Sequence, residues 1–212
     1  MAERILVVGG NAAGMTAASR AKRVNPWVSV TLFEAGPRIA YSICGLPFAV
    51  EGRVGFEDLV LFTPESLQNE RGIQALLNRE AVEIQPWRKT ISVLNRSTGE
   101  HESHPYDKLL LATGYRPRSP GTEGTDLKGV FTASRLEDGE AILSWITTAS
   151  PRRAVVLGGG YVGLEIAEAL IERGCAVTVV ERWPSVLGSL DPDMARLVEE
   201  ELERKGARVF TG

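Results

Sequence analysis

Cysteine and histidine are scarce in this chain, with two of each in 212 residues. Cys44 and Cys175 lie too far apart to read as a disulfide framework. His101 and His104 sit in the polar stretch Glu100 to Pro105 and read as solvated. No Cys/His cluster has metal-ligand spacing. Long apolar runs are also missing: those around Ile5 and Leu109 are too short to span a bilayer. No long run of basic residues occurs and the net charge is −3, so nothing points to nucleic acid or to an anionic membrane. The short N-terminal apolar run leads into a glycine-rich turn, which is not a signal-peptide layout, and a reducing cytoplasm is the expected compartment. Hydrophobic residues at 43% and charged residues at 24% are ordinary for a globular protein of one large or two small domains.

Glycine is abundant, and its placement organises the chain. Arg4-Ile5-Leu6-Val7-Val8 is a short β run that feeds Gly9-Gly10-Asn11-Ala12-Ala13-Gly14. A small-residue helix follows, from Met15 to about Val24, and then a second strand, Val28 to Phe33, ending in Glu34. This is a βαβ unit in which Gly9 makes the tight turn, Gly14 allows close helix–strand packing, and the helix N-terminus is suited to a pyrophosphate. Glu34 is placed to accept hydrogen bonds from a ribose. Asn11 stands where the strict fingerprint has its middle glycine.

A second unit begins at Ala154-Val155-Val156-Leu157. Gly158-Gly159-Gly160-Tyr161-Val162-Gly163 is an intact G-x-G-x-x-G, followed by a helix from Leu164 to about Arg173 and a strand from Ala176 to Val180 that ends in Glu181. An acid there pairs with the 2′-hydroxyl of a ribose and repels a 2′-phosphate, which favours NADH over NADPH; Arg182 beside it is suited to the phosphate. The fold class expected is α/β, with two Rossmann-like βαβ dinucleotide-binding units. A boundary near residue 116 divides the chain into 1–116 and 117–212. Between the units, Thr63 caps a helix that ends at Gly72; Ile73 to Leu77, Ala81 to Gln85 and Thr90 to Leu94 read as strands. Leu109 to Ala112 reads as a buried strand, and Ser134-Arg135-Leu136-Glu137 as a capping box. Asp191-Pro192 opens a last helix to about Lys205, and Ala207 to Phe210 closes the chain as a strand.

Cys44 stands in Tyr41-Ser42-Ile43-Cys44-Gly45-Leu46-Pro47, after the first unit. Leu46 and Pro47 fit a helix opening, where exposed N–H groups favour a thiolate. An isolated cysteine is more often a small buried hydrophobe. That is the reading for Cys175, at the entry to a strand; for Cys44 the flanking nucleotide units favour redox chemistry.

Two nucleotide-binding units around one thiol resemble the pyridine nucleotide–disulfide oxidoreductases, over essentially the whole chain. The segment from Leu109 through Ala112-Thr113-Gly114 looks like the family's A-T-G stretch, where the chain leaves the FAD domain. No second cysteine lies near Cys44, so the chain is similar to the single-cysteine branch that contains the coenzyme A disulfide reductases. Cys44-Gly45-Leu46-Pro47, Thr63-Pro64-Glu65, Val93-Leu94-Asn95-Arg96 and Tyr106-Asp107-Lys108-Leu109 carry that similarity.

The resemblance implies an FAD domain followed by an incomplete NAD(P) domain, with electrons passing from NAD(P)H through flavin to Cys44. FAD contacts would come from Gly9, Asn11, Ala12, Ala13, Gly14, Glu34, Val82, Thr113 and Gly114. Nicotinamide-nucleotide contacts would come from Gly158, Gly160, Tyr161, Val162, Gly163 and Glu181. Cys44 would form a mixed disulfide with coenzyme A or another small thiol, whose phosphates Thr16, Arg20, Arg23 and Arg71 would meet. Ala40 and Ile43 replace two polar contacts of the family. NADH oxidases and peroxidases of the branch carry a histidine in the first glycine loop, where this chain has Ala12. A persulfide or polysulfide reductase would look nearly the same over this segment. The family's flavin-binding return segment and dimerisation domain have no counterpart here, so a homodimer is expected of a longer form, and an inactive fragment is the alternative for these 212 residues.

Overall fold

A computed structural model describes residues 2–118 and 120–212. The chain divides into two compact units: Met1–Ser42 with Val60–Arg116, and Ile43–Leu59 with Pro117–Gly212.

The first unit is built on a parallel sheet. β1 (Arg4–Val8) leads into α1 (Ala12–Val24) and β2 (Ser29–Phe33); after α3 (Pro64–Arg71; α2, Leu46–Glu51, lies in the other unit) come β3 (Ile73–Leu76) and, later, β7 (Lys108–Leu111). The strand order is β3-β2-β1-β7. β1 and β2 are near-continuous apolar runs because both their faces are covered. On one face Val7, Val30 and Leu32 pack with Met15 and Ala18 of α1 and with Leu67 of α3. On the other, Leu6, Val8 and Phe33 meet Ile91, Val93 and Tyr106. Ile91 and Val93 belong to a second, antiparallel sheet of order β4-β5-β6, formed by β4 (Arg79–Gln85), β5 (Thr90–Asn95) and β6 (His101–Pro105).

Two local expectations are corrected here. His101 to Pro105 is an edge strand that pairs with β5; His101 is exposed as expected, whereas His104 is half-buried, with its ring 4.8 Å from Phe33 and its Nε2 3.1 Å from Glu102. Pairing alternates its side chains between the sheet and water, so a polar sequence still supplies one inward row. β7 is not a buried strand. It is the sheet edge beyond β1, and Leu110 and Leu111 are 37% and 54% exposed.

In the second unit, β8 (Arg153–Leu157), β9 (Ala176–Glu181) and β10 (Arg208–Thr211) form a parallel sheet of order β10-β9-β8, connected by α5 (Tyr161–Glu172) and α6 (Pro192–Arg204). Val156, Val177 and Val179 pack against Ile166, Ala167 and Leu170 of α5. α4 (Leu136–Ala149) joins this core through Ile142. Its N-terminus is held by Asp138 instead of Glu137: Oδ2 of Asp138 accepts from the amide of Ser134 at 2.8 Å, its hydroxyl at 2.9 Å and the amide of Arg135 at 3.2 Å.

The short helix α2 (Leu46–Glu51) belongs with this second unit, so the first unit is discontinuous in sequence. Leu46 and Val50 are 2% and 0% exposed. Leu46 lies so close to Gly139 of α4 that a Cβ there would stand 2.2 Å from Leu46 Cδ1. Arg173, just after α5, donates from Nε to the carbonyl of Val50 at 2.8 Å.

Candidate functional site

The two glycine loops are near copies. Gly9 and Gly158 have φ of 108° and 109°, a region closed to most side chains. A Cβ on Gly14 would lie 1.8 Å from the carbonyl oxygen of Gly9, and one on Gly163 would lie 2.0 Å from that of Gly158. Only glycine lets each helix approach its loop so closely. Both helices begin three residues earlier than the sequence pattern suggests, at Ala12 and Tyr161. The loop's last residues are therefore the first helical turn, so Ala12, Ala13, Tyr161 and Val162 are exposed at helix starts. The N-caps Asn11 and Gly160 make no side-chain cap, and neither first turn carries an acid. First-turn N–H groups have no intrahelical partner, so both loops offer donors to an anion. No atom lies within 4 Å of where a Cβ on Gly160 would stand.

Each loop is clamped by the acid that ends its second strand. Glu34 accepts from the amides of Gly10 and Gly36, both at 2.8 Å. Glu181 accepts from the amides of Gly159 at 2.7 Å and Trp183 at 2.9 Å. Burial works against the Glu181 carboxylate, but the N–H groups of Trp183, Gly159 and Arg182, with the Arg182 charge, hold its pKa below the usual carboxylate value.

Ala40 and Leu187 complete the clamps, and the sequence reading passed over both in this role. Their amides donate to the carbonyls of Gly10 and Gly159, each at 2.8 Å. Both adopt left-handed backbone, at φ of 50° and 44°. The signal was present as a repeat: Glu34-x-x-Pro37-x-Ile39-Ala40 matches Glu181-x-x-Pro184-x-Val186-Leu187. Ile39 and Val186 are 1% and 0% exposed.

Ala112, Thr113 and Arg79 lie at the first loop. The amide of Ala112 donates to the carbonyl of Val8 at 2.8 Å, and the Cβ position of Gly9 lies 3.4 Å from the amide nitrogen of Thr113. Thr113 and Gly114 are exposed beyond it. Arg79, at the start of β4, donates its amide to the carbonyl of Glu34 at 2.8 Å. Val82 lies on β4 at a register shift between Ala81 and Glu83 that leaves it without a partner residue in β5.

Thr16, Arg20 and Arg23 are exposed on α1 at helical spacing that puts them on one face. Arg71 is brought to the same helix: its guanidinium donates to Ser19 Oγ at 2.6 Å and lies 4.4 Å from the Phe62 ring centroid.

Cys44 is exposed, in a single 3₁₀ turn (Ile43–Gly45) that runs into α2. Gly45 is tight: a Cβ there would be 2.4 Å from Leu59 Cδ2. Cys175 is buried among Val177, Leu170 and Ile166, with its thiol donating to the Pro151 carbonyl at 3.3 Å. Burial pushes its pKa up. Among the described residues no group of three or more His, Cys, Asp or Glu is arranged to hold a metal ion, and no helix is long and apolar enough to cross a membrane.

The pyridine nucleotide-disulphide oxidoreductase family model matches residues 3–212. The chain belongs to that family. It is 38% identical over 209 residues to an NADH oxidase of Methanocaldococcus jannaschii, covering 98% of this chain and 46% of the relative. It is 34% identical over 203 residues to a coenzyme A disulfide reductase of Staphylococcus aureus, covering 95% of this chain and 46% of that protein. A solved NAD-dependent persulfide reductase from A. fulgidus superposes with a TM-score of 0.93 at 37% identity, covering 98% of this chain and 39% of that structure. The chain thus spans about half the length of the curated relatives it matches, and its Rossmann-type α/β units are those of the family.

Proposed function

We propose that this chain is the nucleotide-binding portion of an FAD-dependent, NAD(P)H-linked reductase whose redox residue is Cys44 and whose substrate is coenzyme A disulfide or a related small disulfide. One observation carries the assignment to Cys44: a chain with two clamped glycine loops holds two thiols, one exposed at a helix opening and one sealed in a core. The first loop fits FAD. Its N–H donors are uncapped, its glycines cannot take a Cβ, Glu34 clamps it and the Thr113 amide lies beside Gly9; Val82 and Gly114 are assigned to the same cofactor. FAD, when bound, accepts hydride from the nicotinamide and passes an electron pair to a disulfide. The protein's own part is to hold the pyrophosphate on the α1 N–H groups and the ribose at the remaining acceptor capacity of Glu34. The second loop takes the pyridine nucleotide on the α5 N–H groups, with Glu181 favouring NADH. Arg20, Arg23 and Arg71 meet the phosphates of coenzyme A through charge-assisted hydrogen bonds. Two free cysteines suit a reducing cytoplasm, and the longer form is a homodimer.

Incubation of the purified chain with coenzyme A disulfide, followed by peptide mapping, tests the assignment. A coenzyme A adduct on Cys44, absent in Cys44→Ser, is expected, and a yellow protein after reconstitution with FAD. An adduct on Cys175 alone overturns the reading. Ala12, in place of the loop histidine of the oxidases and peroxidases, disfavours peroxide chemistry through Cys44 sulfenic acid. A persulfide substrate would use the same thiol and is distinguished by sulfide release.

A further inference from the structure

Successive carbonyls of the turn at Glu34 are each held from β4 and β5. The carbonyl of Glu34 accepts from the amide of Arg79 at 2.8 Å, and that of Gly36 from the amide of Asn78 at 3.0 Å. Between them, the carbonyl of Ala35 accepts from Nη1 of Arg96 at 3.3 Å. The Glu34 carboxylate clamps the glycine loop, so what fixes this turn also fixes the loop.

Arg96 is itself held for this contact. Asn95, 6% exposed, accepts at Oδ1 from the amides of Ser97 at 3.0 Å and Thr98 at 3.3 Å, which shapes the turn after β5. The amide of Arg96 donates to the carbonyl of Asn78 at 2.9 Å. Its guanidinium meets Oε2 of Glu80 from Nε at 3.0 Å and from Nη2 at 2.9 Å. Two donors on one acceptor fix the plane of the group and leave Nη1 for Ala35. The side chains of Arg96 and Glu80 are 41% and 29% exposed, so the pair adds little stability by itself. Its effect is orientation. The second unit holds its turn differently: the carbonyls of Glu181 and Trp183, which match those of Glu34 and Gly36, both accept from the amide of Gly212.

We propose that Arg96 is a positioning residue for the adenosine half of the first nucleotide. It acts through Ala35. The guanidinium fixes the turn, the turn fixes the Glu34 carboxylate, and the carboxylate meets the ribose. Glu80 aims the guanidinium. A turn ordered before the nucleotide arrives lowers the cost of binding. This rests on the reading of the first loop as the FAD site.

The test measures FAD affinity of the purified chain by flavin fluorescence, ADP affinity by displacement of that FAD, and amide exchange in the free protein by NMR. Arg96→Met is expected to weaken FAD and ADP alike, by about three- to ten-fold, the contribution of one hydrogen bond. ADP lacks the flavin, so an equal loss assigns the effect to the adenosine half. Exchange at Gly10 and Gly36, whose amides donate to Glu34, is expected to quicken, while Gly159 and Trp183 keep their rates. Glu80→Ala should act in the same direction. Glu80→Gln keeps an acceptor for the guanidinium and should stay near the affinity of the unsubstituted chain. Thermal midpoints should move little, because Arg96 is exposed. Unchanged affinity in Arg96→Met overturns the proposal and leaves the first loop as the FAD site. A loss confined to FAD, or faster exchange at Gly159 as well, also overturns it. If the unsubstituted chain binds neither FAD nor ADP, the reading of the first loop falls, and the proposal with it.

Discussion

Glu34 and Glu181 hold the same place in two copies of one device. Each closes a strand, and each accepts from the N–H of the second glycine of its loop and from N–H of its own following turn. A loop held this way is shaped before a nucleotide arrives, which lowers the ordering cost of binding. The carboxylates thus have a structural duty besides any contact to a ribose.

Glu181→Gln separates those duties. A glutamine offers one acceptor and one donor, so its amide nitrogen would face the N–H of Gly159 or of Trp183. Leaving a donor unsatisfied costs about 1–3 kcal/mol. Urea unfolding should show a loss of that size, although the side chains are nearly isosteric. An unaltered midpoint would show that the clamp contributes nothing to the fold.

The same residue sets an acid dependence. Its folded pKa is depressed, so its contribution is present above the unfolded carboxylate value and is lost as pH falls through the folded one. Unfolding midpoints should decline below about pH 4.3, the ordinary glutamate value. Glu102 adds to this. Burial raises it, but the hydrogen bond from His104 and the charge of Arg79 bring it lower overall. Glu181→Gln should flatten the acid limb measured between pH 5 and pH 3.

Two glycines of one loop should fail differently. An alanine at Gly163 would put Cβ 2.0 Å from a backbone oxygen that cannot move aside, so α5 must shift. A loss of about 1–3 kcal/mol or more in stability is expected, as for overpacking generally. An alanine at Gly160 meets nothing within 4 Å, and should fold normally while weakening NADH binding at the surface it occupies. Thermal melts and NADH titration of both variants check the contrast.

The two thiols should label on different clocks. Iodoacetamide is expected to modify Cys44 at a rate set by the reagent, and Cys175 only as fast as the second unit opens. Burial raises the Cys175 thiol, so raising pH to 8.5 should bring little gain there. Mass mapping against time reads both rates. Equal labelling would contradict the burial of Cys175.

Leu46→Ala tests where the thiol's helix is anchored. Leu46 is 2% exposed against Gly139 of α4. Its truncation should cost about 2–5 kcal/mol. Hydrogen exchange should then rise in α4 and α5, with β1 and β2 unaffected. Protection lost in β1 instead would assign residues 43–59 to the first unit.

Much of this was legible from residues alone. Apolar runs, glycine spacing and terminal acids are local facts, and local facts determined the two βαβ units, their loops and the helix openings at Thr63 and Leu46. Tertiary structure decided the rest. It placed Ile43–Leu59 with the second unit, because Leu46 and Val50 find their apolar partners on α4 and α5, residues far along the chain. It made a strand of the polar run at His101, because pairing with β5 outweighs composition. It left Leu110 and Leu111 in water, because β7 is a sheet edge. It brought Arg71 to Ser19, and bent Ala40 and Leu187 into left-handed backbone to reach the loop carbonyls. Hydrophobic pattern specifies which face of an element is buried, whereas the choice of neighbour depends on shape and hydrogen bonds that form only when distant segments meet.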